Sequence, residues 1–188
     1  MKSKYISRVG VVAASYATAT LLTMLFLGNI AWGPVQFRIS EALCVLALFT
    51  PAAIPGLTLG CIIANVINLL LSGMGMLGMF DVVFGSFATF LGAQWMWHFR
   101  KNIKLALLGP VLANALIVPS YLPVILAGIG FYTIPFTSIS LESSWFLMYV
   151  FGFFAVGLGE AVVMYVLGLP LQKSLAKTPL FNQRISDC

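Results

Sequence analysis

Three acidic residues stand within or at the edge of long apolar stretches, where a charged side chain is costly. Glu160 lies about 15 residues into one stretch, in the run FGFFAVGLGEAVVMYVLG, and Glu41 and Asp81 lie near the start of two others. At the centre of a membrane helix a carboxylate costs about 2.5–3.5 kcal/mol on insertion scales, so it needs a partner or a function. Glu160 therefore indicates a functional site. Glu41 has a simpler alternative, which is to pair with Arg38 three residues earlier.

Amide side chains accompany these carboxylates in the same stretches. Asn65 and Asn68 are three residues apart and share one helix face, and Asn114 lies near the middle of another stretch. Two interpretations stay open for the amides. They form a polar pocket that recognises a flat or polar solute, or they make hydrogen bonds between helices, as membrane bundles do routinely.

The sequence contains no set of residues suited to catalysis or metal binding. His98 is the single histidine and has no second His or Glu at metal-ligand spacing. The three cysteines lack metal or redox spacing, and no glycine-rich nucleotide loop is present. Nine of the ten Lys and Arg residues form three short clusters without interleaved aromatic residues, a pattern that does not indicate nucleic-acid binding. We expect no enzyme, no metal and no cofactor.

The elements that position these residues are helices that cross a membrane. Of the 188 residues, 61% are hydrophobic and 8% charged, and the mean hydropathy is +1.03. A soluble domain is about half apolar and about a quarter charged. Because one crossing needs about 20 apolar residues, we predict one all-α transmembrane domain over 1–188. Its six spans are expected at about 6–28, 39–50, 54–72, 81–98, 104–128 and 144–169.

The stretch 39–72 decides the number of spans. It is too long for one helix, and Pro51 and Pro55 interrupt it. With six spans and an inward N-terminus, nine of the ten basic residues lie on one side and Arg38 alone lies outside. The positive-inside rule then places both termini in the cytoplasm. The first apolar run is too long for a signal peptide, and we interpret it as a retained span.

Small residues repeat every four positions in the first span. Gly10 with Ala14, and Ala13 with Ala17, form a small-xxx-small stripe. This pattern lets another helix approach closely. The spacing leaves open whether that helix belongs to a partner protein or to this chain.

A small six-helix membrane protein with an Ala-rich first span resembles the substrate-binding S components of energy-coupling factor (ECF) transporters. More specifically, VQFRISEALCVLALFTPAAIPGLTLGCIIANVI at 35–67, DVVFGSFATFLGA at 81–93 and GLGEAVVMYVLG at 157–168 resemble the QueT family, the S components for queuosine precursors. The resemblance implies an S-component-like bundle in a bacterial cytoplasmic membrane. It implies solute capture at the outer face, docking of the first span on a membrane-embedded T component, and two cytoplasmic ATPases.

The solute implied by this resemblance is 7-aminomethyl-7-deazaguanine or a related 7-deazaguanine. Carboxylates accept hydrogen bonds from adjacent N–H donors and from an ammonium group, and aromatic residues stack on a flat ring. The expected carboxylates are Glu41, Glu160 and Asp81. The other expected contacts are amides, loop residues and a lid or wall, namely Asn65, Asn68, Asn114, Arg38, Gln36, Trp32, Trp145 and Tyr132. Glu160 lies deep for a shallow pocket, and its alternative is a structural role as a partner of Asn114 or of a water molecule.

Three other functions stay open from the sequence. One is an S component for another vitamin-like solute. A second is a stand-alone carrier coupled to protons through Glu160, although no inverted repeat is apparent between 1–94 and 95–188. A third is a membrane-embedded enzyme or assembly factor.

Overall fold

The computed structural model describes residues 2–27, 38–72, 75–128 and 145–178, and every regular element in these ranges is helical. We number the helices in chain order, and α4 and α6 each include short segments of a different helical pitch. The helices are α1 (Lys2–Leu27), α2 (Ile39–Leu48), α3 (Ala53–Ser72), α4 (Gly75–His98), α5 (Ile103–Gly128) and α6 (Trp145–Ala176).

The predicted all-helical membrane fold is confirmed. Two helices are longer than their predicted spans, because α4 begins at Gly75 and not at 81, and α6 ends at Ala176 and not at 169. Five of the helices are long and apolar enough to cross a membrane. The exception is α2, which has 10 residues wound as a 3-10 helix. At about 2.0 Å per residue it measures about 20 Å, which is less than the hydrocarbon thickness of about 30 Å.

The division between α2 and α3 occurs at the prolines that were predicted to interrupt the stretch 39–72. Pro51 lies in the turn between the two helices, where Ala53 N donates to Thr50 O and Ile54 N to Pro51 O. Pro55 falls in the first turn of α3, where its missing N–H leaves no helix bond unmade.

The short helix α2 lies at the centre of the bundle. It contacts each of the five other helices. Seven of its ten residues are buried, among them Ser40, Glu41 and Cys44. A polar side chain on α2 is therefore enclosed by protein and not by lipid.

Contacts along α2 define two ends of the bundle. At its start, Arg38 lies beside Asp81 in the first half of α4. Its last residues, Leu48 and the following Phe49, belong to the core cluster against which Phe99 and Ile103 pack. Although α2 is short, it connects the Asp81 end of the bundle to the opposite end, the α4–α5 loop.

The N-terminal half of α1 and the C-terminal part of α6 both lie toward the α4–α5 loop. Val9 and Val12 of α1 approach Gly56 in the first turn of α3. The Tyr165 hydroxyl of α6 donates to the carbonyl of Lys104, 3.3 Å away. These basic segments therefore share one end of the molecule, and the Asp81 end lies opposite.

Candidate functional site

Four helical segments contribute to a buried polar cluster at the Asp81 end. Arg38 Nη2 lies 3.9 Å from Asp81 Oδ1, and both side chains are buried. The Tyr121 hydroxyl donates to the same carboxylate oxygen at 2.7 Å, and Asn65 Nδ2 donates to the backbone carbonyl of Asp81 at 2.7 Å. A guanidinium stays charged in proteins, so this is an ion pair held inside the bundle.

Gly85 allows these polar groups to converge. A Cβ atom at this position would lie 3.3 Å from Asn65 Nδ2, 3.5 Å from the Tyr121 hydroxyl and 3.7 Å from Arg38 Nη1. Since contacts shorter than about 3.4 Å crowd a methyl group, the absence of a side chain keeps the space between these groups open.

Glu41 forms a second cluster deeper in the bundle. Its Oε1 accepts a hydrogen bond from the hydroxyl of Tyr16, and the Thr89 hydroxyl lies 3.1 Å from the same oxygen. The thiol of Cys44 donates to Oε2 at 3.1 Å. Helices α1, α2 and α4 thus all contribute to the surroundings of one fully buried carboxylate.

Cys61 connects the two clusters. Its Sγ lies 3.4 Å from Asn65 Nδ2 and 3.4 Å from the Thr89 hydroxyl. The contacts are therefore continuous from Arg38 to Glu41. We call this set, together with Glu160, the polar network: Tyr16, Arg38, Glu41, Cys44, Cys61, Asn65, Asp81, Thr89, Tyr121 and Glu160.

Glu160 approaches the polar network from α6. It is buried and close enough to Glu41 and Arg38 to interact electrostatically with both. Helix α6 has 32 residues, or about 48 Å at 1.5 Å per residue, so Glu160 lies near its middle. A position near the middle of α6 is compatible with the electrostatic interaction between Glu160 and Glu41.

Three buried polar atoms in this region have no hydrogen-bond partner among the described residues. They are Asn65 Oδ1, Glu160 Oε1 and the Ser86 hydroxyl oxygen. The Asp81 carbonyl can only accept a hydrogen bond, so the atom of the Asn65 amide that faces it is the nitrogen. The Asn65 side chain therefore turns its oxygen, Oδ1, away from Asp81 as a free acceptor. Buried polar groups are nearly always paired, and each unpaired one costs about 1–3 kcal/mol.

Irregular helix turns occur beside two of the acidic residues. Asp81–Gly85 and Val163–Gly168 are π-helical, and Glu160 precedes the second by one turn. Such turns are rare in proteins, and those that occur are frequently found at functional sites. In α4 the π turn presents the backbone carbonyl of Asp81 to Asn65.

Aromatic rings stack beside the ion pair. Phe80, Phe84 and Tyr121 lie with ring centroids 5.8–6.1 Å apart and interplanar angles of 13–28°. Tyr121 also donates to Asp81. This trio offers a flat apolar wall next to hydrogen-bonding groups.

The structure brings together five of the residues that the sequence indicated: Arg38, Glu41, Asn65, Asp81 and Glu160. Asn68 is buried on α3, and the amide of Asn114 donates within α5 to the Pro110 carbonyl at 3.1 Å. Trp145 stacks on Tyr149 with 56% of its surface exposed. Gln36, Trp32 and Tyr132 lie outside the described residues.

The ion-pair partner of Arg38 is not the residue that sequence spacing suggested. Sequence spacing allowed Arg38 to pair with Glu41, but among the described residues the carboxylate within ion-pair distance of its guanidinium belongs to Asp81. Glu41 donates its backbone N–H to the Arg38 carbonyl at 2.9 Å, and its side chain accepts from Tyr16 and Cys44.

The two small-residue pairs of α1 face different surroundings. Ala13 and Ala17 are buried, and a Cβ atom at Gly60 of α3 would lie 2.6 Å from the Ala13 carbonyl. Gly10 and Ala14 are exposed, and nothing lies within 4 Å of a Cβ built on Gly10. One pair therefore packs inside the chain and the other faces outward.

Sequence reasoning missed five members of the polar network: Tyr16, Cys44, Cys61, Thr89 and Tyr121. The cysteines were considered only for metal or redox spacing, yet the Cys44 thiol donates to Glu41. A tyrosine inside an apolar span was an available signal, because a buried phenol usually finds a hydrogen-bond partner. The threonine had no such signal, since its hydroxyl commonly bonds to its own helix.

No group of three or more His, Cys, Asp or Glu side chains that could hold a metal ion is found within the described ranges. The site is instead a hydrogen-bonding and aromatic one. Its excess of acceptors and its flat wall suit a planar ligand that carries N–H donors.

Comparison with known proteins gives the family. A model of the QueT transporter family matches residues 6–177. A relative from Lactococcus lactis subsp. cremoris (strain MG1363), described as "Queuosine precursor transporter QueT", is 33% identical over 105 residues. The aligned region covers 54% of this chain and 61% of that relative's length. No solved structure matches the chain.

Proposed function

The chain belongs to the QueT transporter family, and on this premise we propose that it captures a queuosine precursor for ATP-driven import. It is a multi-pass membrane protein of a transporter family. The proposed solute is 7-aminomethyl-7-deazaguanine or a related 7-deazaguanine. The name of the Lactococcus lactis relative supports this solute class.

The observation that carries the proposal is the pair of buried acceptors without donors. Asn65 Oδ1 and Glu160 Oε1 both lack a hydrogen-bond partner among the described residues. A ligand that fills both positions must bring hydrogen-bond donors. A guanine-like edge has adjacent N–H donors, and an aminomethyl group adds an ammonium that favours a carboxylate.

The aromatic trio supports binding of a flat ring. Phe80, Phe84 and Tyr121 lie beside the ion pair, and stacking of one base on an aromatic ring is worth about 1–3 kcal/mol. We retain Asn68, Asn114, Gln36, Trp32, Tyr132 and Trp145 as further proposed contacts or lid residues.

We further propose that the chain works as the S component of an ECF module. The partners would be a membrane-embedded T component and two cytoplasmic ATPases, which agrees with the absence of a nucleotide loop from this sequence. The basic end of the bundle would face the cytoplasm by the positive-inside rule, with both termini inside. The Asp81 end of the polar network would then face outward.

The direct test is binding of the solute to the purified protein. We expect 7-aminomethyl-7-deazaguanine to raise the unfolding temperature in detergent and to titrate calorimetrically, whereas riboflavin, thiamine and biotin have no effect. A response to one of these vitamins alone would overturn the solute assignment. Uptake into proteoliposomes that contain this chain alone and a proton gradient would instead support a stand-alone carrier.

Glu160→Gln should weaken binding of the aminomethyl solute at least tenfold, or about 1.4 kcal/mol, because a neutral amide loses the charge-assisted hydrogen bond. The neutral 7-cyano analogue should be affected less, since it has no ammonium group. Calorimetry on both ligands measures the difference.

The control for this substitution is Gln94→Leu, which removes an exposed polar group of α4. We expect its affinity to equal that of the wild type. An unchanged affinity in Glu160→Gln would assign Glu160 to a structural role.

A further inference from the structure

Two hydroxyl groups of α1, one helical turn apart, contact consecutive residues of α2. The Tyr16 hydroxyl donates to Oε1 of Glu41, and the Thr20 hydroxyl donates to the Ser40 hydroxyl at 2.7 Å. Both α1 residues are buried. The inner face of α1 is therefore joined by polar contacts to the part of α2 that carries the network carboxylate.

The position of Tyr16 is set by close packing between α1 and α3. The residue is fully buried, and a Cβ atom at Gly60 would lie 2.8 Å from Tyr16 Cβ. Such a distance is too short for a methyl group, so a glycine is needed for this approach. Because the two backbones are held this closely, the phenol has little freedom to turn away from α2.

The hydrogen bonds of Glu41 leave limited room for a ligand. An ionised carboxylate offers about four acceptor positions over its two oxygens. Tyr16 and Thr89 approach Oε1, and Cys44 approaches Oε2. Among the described residues, Oε2 receives only the weaker thiol donor, which leaves one of its two acceptor positions open.

We propose that Tyr16 is a positioning residue for solute binding: its hydroxyl holds Oε1 of Glu41 so that the open acceptor position of Oε2 faces the solute. This inference rests on the proposed function. The inference makes a residue of α1 a determinant of solute affinity. The unpaired acceptors Asn65 Oδ1 and Glu160 Oε1 lie on other helices, α3 and α6.

A double-mutant cycle with 7-aminomethyl-7-deazaguanine tests the proposal. We expect Tyr16→Phe, which retains the ring, to weaken binding about fivefold, and Tyr149→Phe to change it less than about twofold. Tyr149 is the matched control because its hydroxyl donates to the Leu116 carbonyl, outside the polar network. In a Glu41→Ala background, Tyr16→Phe should have less than about a twofold effect, since the group that it positions is gone.

The outcomes separate this inference from the proposed function. No binding by the wild type would overturn the proposed function. Wild-type binding with an unchanged Tyr16→Phe affinity, or with equal losses in both backgrounds, would overturn the positioning role. If Glu41→Ala binds too weakly to titrate, infrared difference spectra decide: the Glu41 carboxylate band must shift in Tyr16→Phe, and an unshifted band would refute the proposal.

Discussion

Replacing Arg38 with Met is expected to lower the free energy of unfolding by about 3–5 kcal/mol, because it leaves Asp81 as a charge without its counter-ion inside the bundle. Both side chains are buried, with the ion-pair atoms 3.9 Å apart. The Tyr121 hydroxyl would still donate to Asp81. A single neutral hydrogen bond does not replace a guanidinium in offsetting the loss of hydration of a carboxylate. Titration with SDS in mixed micelles, followed by circular dichroism, measures the change.

Two variants control this experiment. Arg8→Met removes an exposed arginine of α1 and should change stability by less than about 0.5 kcal/mol. The double variant Arg38→Met with Asp81→Asn should recover most of the loss, since no lone charge then remains buried. If Arg38→Met unfolds within about 1 kcal/mol of the wild type, the ion pair does not hold this end of the bundle together.

Ala14→Trp is expected to abolish co-purification with the proposed T component while leaving affinity for the proposed solute unchanged. Ala14 lies on the outward face of α1 with Gly10 and Thr18, and all three are exposed. A stripe of small residues allows a partner helix to approach closely, and an indole on it would hold the two helices apart. Affinity purification of the assembled complex and calorimetry on the isolated chain are the two measurements.

Leu158→Trp places the same side chain on an exposed position of α6 and should leave complex formation intact. A complex that survives Ala14→Trp would move the docking surface to another helix. Loss of solute binding in Ala14→Trp would mean that this face supports the polar network. Ala13 and Ala17 do not suit the test, because a large residue there would separate α1 from α3.

The helices could be located from the sequence because apolar length is a local property. The predicted break at Pro51 matches the turn between α2 and α3, and the predicted span 104–128 differs from Ile103–Gly128 by one residue. The 3-10 winding of α2 was not predicted. A 3-10 helix of ten residues is unusual. In this bundle α2 packs against the five other helices. Such tertiary packing leaves no signal in the local sequence, so the winding could not be predicted.

The candidate site could be predicted in part. Glu41, Asp81 and Glu160 are conspicuous because a charge in an apolar stretch is costly wherever the helix points. Their contacts depend on how each helix is rotated about its axis. Tyr16 and Ala14 are two residues apart on α1, yet one is fully buried against the carboxylate and the other is exposed. The hydropathy of α1 alone does not distinguish these faces.

Composition and the order of apolar, proline and charged residues were thus sufficient to establish a helical membrane protein, the approximate positions of its helices and the acidic residues that need an explanation. These features follow from the cost of exposing backbone and charge to hydrocarbon, which each segment meets separately. Only the tertiary structure decided that Asp81 lies beside Arg38, that Tyr16 reaches Glu41, and that Glu160 joins the same network from α6. Those contacts join residues far apart in the chain, and they depend on how closely the helix backbones approach and which faces they present to one another.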